Sequence, residues 1–240
     1  MILAIDIGNS SAKLGVFEGS AKKYIHNTEE ISGLMLDKLV LKYGISRIIY
    51  SSVRGSSDIL SAYCASHGLE LISLSFETNI PIKLEYSTPQ TLGADRIAGM
   101  VGAYNKYGNN NVLLIDAGTA ITFDILSSDG IYKGGNISPG LSMRFRSLNA
   151  FTGKLPLVSP DNKYDIIGDS TENAIRSGVQ QGLIFEINEY IRTFENLFEG
   201  LKIVITGGDG EFLSGLIKQA ADYSPDLVIE GLNYIANYNA

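Results

Sequence analysis

The feature that most constrains the fold is a strand-and-turn pattern that occurs twice in the chain. The sequence ILAIDIGNSSAK runs from Ile2 to Lys13, and VLLIDAGTAITFD begins at Val112. When the two are aligned, Asp116 and Gly118 fall on Asp6 and Gly8, so each apolar strand leads into an aspartate and a glycine-containing turn. A repeat on this scale predicts two related halves.

The order of predicted elements supports a duplication. The first half is predicted as three strands followed by helix, strand, helix and strand. In the second half three strands precede a helix from Thr171 to Phe198, the strand KIVIT and the helix EFLSGLIKQAA, with DLVIE as a further strand before a short C-terminal helix. The helix DRIAGMVGAYNKYG joins the halves and ends at the linker GNNN. We therefore expect domains at 1–110 and 111–240.

The later strands of each half are expected to be parallel, which requires helical crossovers. Crossovers of this kind cover both faces of a mixed sheet. The sequence therefore predicts an α/β fold with two sheets flanked by helices and a cleft between the two halves.

Composition excludes several classes of function. Of the 240 residues, 45% are hydrophobic and 19% are charged, as in globular proteins, and the net charge of −7 argues against a nucleic acid or an anionic membrane as partner. Cys64 is the only cysteine, so no internal disulfide forms. Asp6 and Asn9 interrupt the N-terminal apolar run, and no stretch has the length of a membrane span. We expect a cytoplasmic protein.

The two turns carry the chemistry expected of a phosphate site. Glycine lets the backbone approach a ligand, and successive N–H groups of a turn suit phosphate oxygens. Carboxylates would repel bare phosphate, so their presence implies a cation, and the pattern favours Mg-ATP with Lys13 neutralising transferred charge. The carboxylates are Asp6, Asp116 and Asp124, and the neutral donors are Asn9, Ser10, Ser11, Thr119 and Thr122.

A structural alternative is that each Asp-Gly pair only shapes a β-hairpin. Recurrence after corresponding strands, with hydroxyls and a lysine alongside, favours phosphate binding. The chain has neither a GxxxxGK[ST] loop nor a GxGxxG motif after a strand, which argues against P-loop and Rossmann proteins.

The segment EYSTPQTLGADRIAG places Asp95 and Arg96 at the start of a helix. In one interpretation Asp95 is an N-terminal capping acid and Arg96 a surface charge. In the other, Asp95 accepts a proton from a substrate hydroxyl and Arg96 holds an anionic substrate. Thr171 opens a helix in GDSTENAI and is interpreted as its cap. With only His26 and His67, a Ser-His-Asp triad or a zinc cluster is not expected.

Taken together, the motifs resemble those of the type III pantothenate kinases, which belong to the acetate kinase, sugar kinase, Hsp70 and actin superfamily. The resemblance rests on DIGNSSAK, GADR, DAGTAITFD, GGNISPG and TENA followed by SGVQQG, in this order. It implies a duplicated ribonuclease H-like fold, each domain having a mixed five-stranded sheet. It also implies an enzyme that phosphorylates the primary hydroxyl of pantothenate with ATP, giving 4′-phosphopantothenate at the start of coenzyme A synthesis.

The resemblance assigns roles to single residues. Asp95 matches the catalytic base, Asp116 the ligand of a monovalent cation (K⁺ or NH₄⁺), and the family is homodimeric. It gives no role to Arg144 or Arg146. The matches to ATP contacts are Asp6, Ile7, Gly8, Asn9, Ser10, Ser11, Ala12, Lys13 and Thr119; those to pantothenate contacts are Tyr86, Gly93, Ala94, Asp95, Arg96 and Thr171.

Two other functions stay open on the sequence. One is a kinase of the same superfamily that acts on a sugar or a carboxylate. The other is a non-enzymatic accessory factor for transcription, against which the acidic charge and the intact Asp95, Lys13 and both turns argue.

Overall fold

A computed structural model describes residues 1–240, and the chain forms two compact units. Unit 1 comprises residues 1–109, 128–133 and 226–240, and unit 2 comprises residues 110–127 and 134–225. The units change at residue 110, but the C-terminal segment returns to unit 1 because its helix packs on elements of the N-terminal half. The division into ribonuclease H-like domains at 1–110 and 111–240 stays a prediction.

Unit 1 is built on a five-stranded mixed sheet in the order β3-β2-β1-β4-β5. The β1–β2 and β2–β3 pairs are antiparallel, whereas β1–β4 and β4–β5 are parallel, as predicted. The elements of the N-terminal half are β1 Ile2–Ile7, β2 Ala12–Glu18, β3 Ala21–Thr28, α1 Gly33–Tyr43, β4 Arg47–Ser52, α2 Asp58–His67, β5 Glu70–Ser73, β6 Lys83–Leu84 and α3 Ala94–Tyr107.

Local sequence fixes the ends of α1. The Ser32 hydroxyl accepts a hydrogen bond from the Met35 N–H, and Gly44 ends the helix in a left-handed conformation at φ 63°. Only glycine adopts that conformation at little cost, so Gly44 fixes the C-terminal end of the helix. Leu36 and Leu39 then pack into the core of unit 1.

The second sheet repeats the order of the first. Its strands run β11-β10-β7-β8-β9-β6, so the first five have the same connectivity as β5-β4-β1-β2-β3. The two-residue β6 pairs with Ile131 and Tyr132 of β9, which belong to unit 1, and makes one strand more than the predicted five. The remaining elements are β7 Val112–Ala117, β8 Ala120–Leu126, β9 Ile131–Pro139, α4 Leu141–Ala150, α5 Thr171–Leu197, β10 Lys202–Thr206, α6 Gly210–Ser214, β11 Asp222–Tyr223 and α7 Leu227–Tyr238.

Three predictions about the C-terminal half were wrong or incomplete. The segment DLVIE is not a strand but the start of α7, and the strand is the earlier pair Asp222–Tyr223. Leu227, Ile229 and Leu232 are fully buried, and a continuous apolar run suits a buried helix as well as a buried strand. Helix α6 has five residues instead of the predicted eleven, and α4 was not predicted.

Helices α3 and α7 pack with their backbones in contact, and α7 also packs on β1, β2 and β4. A Cβ at Gly231 would lie 1.9 Å from the Ala98 carbonyl oxygen, and one at Gly102 would lie 2.4 Å from that of Leu227. Only glycine fits at these two contacts. The crossing brings the first residues of both helices into the vicinity of β1 and β2. Although α5 has 27 residues, neither it nor any other helix has the apolar run that crossing a membrane requires.

Candidate active site

Beside the first turn, which follows β1, three polar side chains on neighbouring strands lie in a row. In the strand register Asp6 is opposite Lys13 of β2 and opposite Ser51 of β4. Residues directly opposite each other point to the same face of a sheet. The Ser51 hydroxyl donates to Asp6 Oδ1 at 2.7 Å, and the Gly8 N–H donates to the Ser11 carbonyl at 3.0 Å, which closes the turn.

The side-chain carboxyl of Asp6 has a raised pKa. Burial is the main cause that raises the pKa of Asp6 from 3.8 to about 6. The hydrogen bond from Ser51 lowers the pKa, the charge of Asp95 raises it, and the charge of Lys13 lowers it. A bound cation would stabilise the ionised form of this buried carboxyl. Asp6 therefore fits the predicted metal-nucleotide contact.

Asp95 is the second residue of α3, and it acts electrostatically on Asp6 in the same unit. Gly93 precedes the helix without a side chain to cap it, and a Cβ there would lie 2.4 Å from Asp95 Oδ1. Glycine at 93 thus leaves room for the carboxylate. Asp95 Oδ1 accepts a hydrogen bond from the Arg96 N–H at 2.8 Å, so a local helix-start contact coexists with its position beside Asp6.

Arg96 is not the exposed charge that the structural alternative predicts, since only 8% of it is accessible. Its guanidinium carbon lies 5.9 Å from the ring centroid of Tyr86 and 6.0 Å from that of Tyr132. These distances are typical of cation–π contacts, which hold the guanidinium in place. The structure therefore brings Tyr86 and the GADR residues together. Sequence reasoning missed Tyr132, which no motif marks.

The second turn, in unit 2, is tighter than the first. Asp116 of β7 is opposite Thr122 of β8 and Thr206 of β10, and the chain reverses over Gly118 and Thr119 alone. The Gly118 N–H donates to the Ala120 carbonyl at 3.0 Å. The repeat therefore keeps the aspartate at the end of the strand but shortens the turn from four residues to two.

Two other backbone segments close around the second turn. Gly140 donates its N–H to the Thr119 carbonyl at 3.1 Å, and a Cβ there would lie 2.2 Å from the Gly118 oxygen. Gly207 has φ +90°, and a Cβ would lie 2.5 Å from Asp116 Oδ1 and from the Ala117 oxygen. Glycines at the β9–α4 and β10–α6 junctions thus make room at the turn.

Asp124 lies in a different environment from Asp116. It is 1% exposed, and its Oδ2 accepts a hydrogen bond from the Thr122 hydroxyl at 2.9 Å. A Cβ at Gly135 would lie 2.6 Å from Asp124 Oδ1. Asp124 is therefore packed inside the sheet structure of unit 2.

At the start of α5 the capping residue is Ser170 and not Thr171. The Ser170 hydroxyl accepts a hydrogen bond from the Asn173 N–H at 3.3 Å, which leaves Thr171 as the first helical residue. Thr171 lines a pocket of about 590 Å³ within unit 2, together with Arg144 and Ala174. A ligand contact by Thr171 is compatible with this position.

The structure gives Arg144 the role that the sequence left open. Its guanidinium donates to the Pro139 carbonyl at 2.8 Å, to Ser138 Oγ at 2.9 Å and to Glu186 Oε2 at 2.5 Å. These bonds tie the end of β9 to α4 and α5. Because Gly140 is the next residue and contacts the second turn, Arg144 supports the backbone around that turn.

Comparisons with known proteins agree with the motifs. The family model described as type III pantothenate kinase matches residues 2–193. A type III pantothenate kinase of Phocaeicola vulgatus is 41% identical over 239 residues, covering 100% of this chain and 99% of that protein. One of Porphyromonas gingivalis is 40% identical over 240 residues, covering 99% and 98%.

Solved structures show the same fold. A Campylobacter jejuni protein whose name assigns it to the Baf family of transcriptional activators has a TM-score of 0.65 at 25% identity, covering 99% of this chain and 98% of its own. An inorganic polyphosphate/ATP-glucomannokinase from Arthrobacter has a TM-score of 0.52 at 13% identity, covering 99% and 98%. The latter likeness concerns the fold alone and confirms the predicted sugar-kinase and actin-like architecture. Since the family model spans most of the sequence and relatives near 40% identity cover nearly all of it, the chain belongs to the type III pantothenate kinase family.

Proposed function

We propose that the protein transfers the γ-phosphoryl group of ATP to the primary hydroxyl of pantothenate, giving ADP and 4′-phosphopantothenate. This reaction is the first step of coenzyme A synthesis. The observation that carries the proposal is the arrangement in unit 1, where Asp95 acts on the same carboxyl, Asp6, that Lys13 and Ser51 flank. Phosphoryl transfer depends mainly on positioning and on neutralising charge, which these groups supply.

The proposed ATP contacts are the first turn with its flanking residues, Asp6 to Lys13, and Thr119 in the second turn. Backbone N–H groups and the hydroxyls of Ser10 and Ser11 would donate to phosphate oxygens. Asp6 would hold Mg²⁺, directly or through water, because a cation would stabilise the ionised carboxylate that burial disfavours. The Mg²⁺ ion, when bound with ATP, neutralises charge on the phosphates.

Asp95 is the proposed general base. As the hydroxyl oxygen of pantothenate bonds to the γ-phosphorus and the bond to the ADP oxygen breaks, the hydroxyl proton passes to the Asp95 carboxylate. The Asp95→Asn variant should fold and bind ATP as the wild-type protein does. Its kcat should fall by roughly two orders of magnitude or more. Near-normal turnover in a folded variant would exclude Asp95 as the base.

The proposed pantothenate contacts are grouped around Asp95. The buried Arg96, which lies against the rings of both Tyr86 and Tyr132, supplies a fixed positive charge suited to the carboxylate of pantothenate. Gly93 and Ala94 complete this loop, and Thr171 is a further proposed contact.

The reaction is tested by coupled ADP release with pantothenate and with a panel of sugars and acetate. We expect ADP release that depends on pantothenate and not on the other acceptors. Turnover with a sugar or acetate in place of pantothenate would favour another kinase of the superfamily. Absence of turnover with every acceptor would favour a non-enzymatic role, such as that named for the Campylobacter jejuni protein.

We also propose that Asp116 binds a monovalent cation, K⁺ or NH₄⁺. Its carboxylate and the nearby Ala117 carbonyl are oxygen ligands of the kind that alkali cations take, and Gly207 leaves space beside both. Activity should be low in sodium buffers and recover with potassium or ammonium. Equal rates in sodium, potassium and ammonium salts would contradict a monovalent-cation site at Asp116.

A homodimer and a cytoplasmic location complete the proposal. Unit 2 exposes several large apolar side chains, among them Phe151, Ile167, Leu157 and Phe185, and a second copy of the chain would cover such a surface. Light scattering should give twice the chain mass, and a monomer at micromolar concentration would contradict the dimer. Cell fractionation would test the location.

A further inference from the structure

The carboxylate of Asp226 is bound by two lysines. Asp226 immediately precedes α7, but its side chain makes no hydrogen bond to the helix start. Instead Oδ1 accepts a hydrogen bond from Lys13 Nζ at 3.1 Å, and Oδ2 accepts one from Lys22 Nζ at 2.5 Å. Lys22 also reaches Glu230 Oε1 at 3.4 Å. The start of α7 is thus connected to β2 and β3 by an ion-pair network.

This pair is shielded from water more than an ordinary surface ion pair. The side chains of Lys13 and Asp226 are 26% and 16% exposed. Burial alone would raise the pKa of Asp226, but the hydrogen bonds from Lys22 and Lys13 lower it overall, so the carboxylate is ionised at neutral pH. A partly buried, charge-assisted hydrogen bond restricts both partners more firmly than a solvated one.

Lys13 lies between two carboxylates. Asp6 is opposite it in the strand register, and the charge of Lys13 lowers the pKa of Asp6. Asp226 holds the ammonium group from α7. A lysine side chain has four flexible carbons, so without Asp226 its ammonium would shift towards the carboxylate of Asp6. A Lys13–Asp6 pair would occupy both the cation and the carboxylate assigned to Mg-ATP.

We propose that Asp226 is a positioning residue that holds the Lys13 ammonium group away from Asp6 and ready for the phosphates of ATP. The inference rests on the proposed function, since it takes Lys13 as a phosphate contact. It makes the first residue of the C-terminal segment, which is far from the phosphate turn in sequence, a part of the nucleotide site.

A simpler role for Asp226 is to stabilise the start of α7, where a negative charge is favourable. The two roles differ in their dependence on Lys13. A positioning role disappears when Lys13 is absent, whereas a helix-start role does not. A third possibility is that the carboxylate only repels the phosphates, in which case its removal tightens binding.

The experiment is a double-mutant cycle on the dissociation constant for ATP with Mg²⁺, measured by isothermal titration calorimetry without pantothenate. Asp226→Asn should weaken binding by about tenfold, equivalent to about 1.4 kcal/mol. In the Lys13→Met background the same change should alter binding by less than about twofold, since the coupling is lost. Glu230→Gln is the matched control, because Glu230 shares Lys22 but does not bind Lys13, and it should bind as wild type.

Equal weakening in both backgrounds would overturn the proposal in favour of a structural role, and unchanged or tighter binding in Asp226→Asn would also overturn it. If Asp226→Asn does not fold, Asp226→Glu is used instead, because it keeps the carboxylate but displaces it by one methylene group. The change in ATP affinity that Asp226→Glu causes is then compared between the wild-type and Lys13→Met backgrounds, and it distinguishes the two roles in the same way. Because pantothenate is absent, coupling between the two residues together with no pantothenate phosphorylation would contradict the proposed function and not this inference.

Discussion

Replacing Asp6 by asparagine should stabilise the protein at neutral pH while removing a proposed contact to Mg-ATP. Burial raises the pKa of Asp6 from 3.8 to about 6, so keeping this carboxyl ionised in the folded state opposes folding. A raised pKa in the folded state contributes stability that is fully present below pH 3.8 and is lost as the pH rises through 6. Asparagine has the same shape and can still accept the Ser51 hydrogen bond.

The size of the effect follows from the two pKa values. A shift of about two pKa units corresponds to about 3 kcal/mol at most. By linkage, the advantage of Asp6→Asn in the free energy of unfolding should be about 0.5 kcal/mol at pH 4, about 1.6 kcal/mol at pH 5 and approach about 3 kcal/mol at pH 7. Since Asp6 retains some solvent access, the measured plateau should fall at or below the last value.

Urea unfolding of wild type and Asp6→Asn between pH 4 and pH 8, without nucleotide or Mg²⁺, measures this difference. Ser51→Ala serves as a matched control, because it removes the hydrogen bond that lowers the pKa of Asp6. In the Ser51→Ala background the difference between aspartate and asparagine at position 6 should keep rising to higher pH and reach a higher plateau. A difference that is independent of pH, or an Asp6→Asn variant less stable than wild type at pH 7, would refute the reasoning about burial.

Two further predictions concern backbone contacts and the support of the second turn. Gly231→Ala should destabilise the protein by about 3 kcal/mol in urea unfolding, since its Cβ would meet the Ala98 carbonyl oxygen, which cannot move aside. Gly182→Ala in α5, where no atom lies within 4 Å of the added carbon, should be neutral or stabilising, and equal effects would contradict the packing argument. Arg144→Ala should weaken binding of ATP by several-fold, because it removes the support of the second turn. Arg192→Ala removes a cation from an exposed pair with Glu189 and should leave ATP binding unchanged. Equal ATP affinities of the two variants in calorimetry would argue against the support role of Arg144.

Most of unit 1 could be predicted from sequence because local signals determine it. Ser32 and Gly44 mark the ends of α1, and the continuous apolar run from Ile2 to Ile5 marks β1. The segment DLVIE could not be assigned correctly, because Leu227 packs on Gly102 of α3 and Ile229 packs on Gly15 of β2, both more than a hundred residues earlier. An apolar run does not reveal whether a helix or a sheet will cover it.

The same distinction holds for the candidate site. Asp6, Lys13 and Asp95 were identified because they stand in short motifs. Tyr132 and Asp226 were not, since each contacts the site from a distant part of the chain: Tyr132 through Arg96 and Asp226 through Lys13. The need for glycine at position 140 likewise could not be predicted, because it arises from close packing against the Gly118 carbonyl.

The most direct test of the central claim is ³¹P NMR of ATP, Mg²⁺, K⁺ and pantothenate incubated with a catalytic amount of the protein. We expect ADP and an equal amount of a new phosphomonoester whose phosphorus couples to the two protons of a CH₂–O group, as in 4′-phosphopantothenate. Formation of ADP with inorganic phosphate and no phosphomonoester, or ATP that stays intact, would contradict the assignment of this chain as a pantothenate kinase.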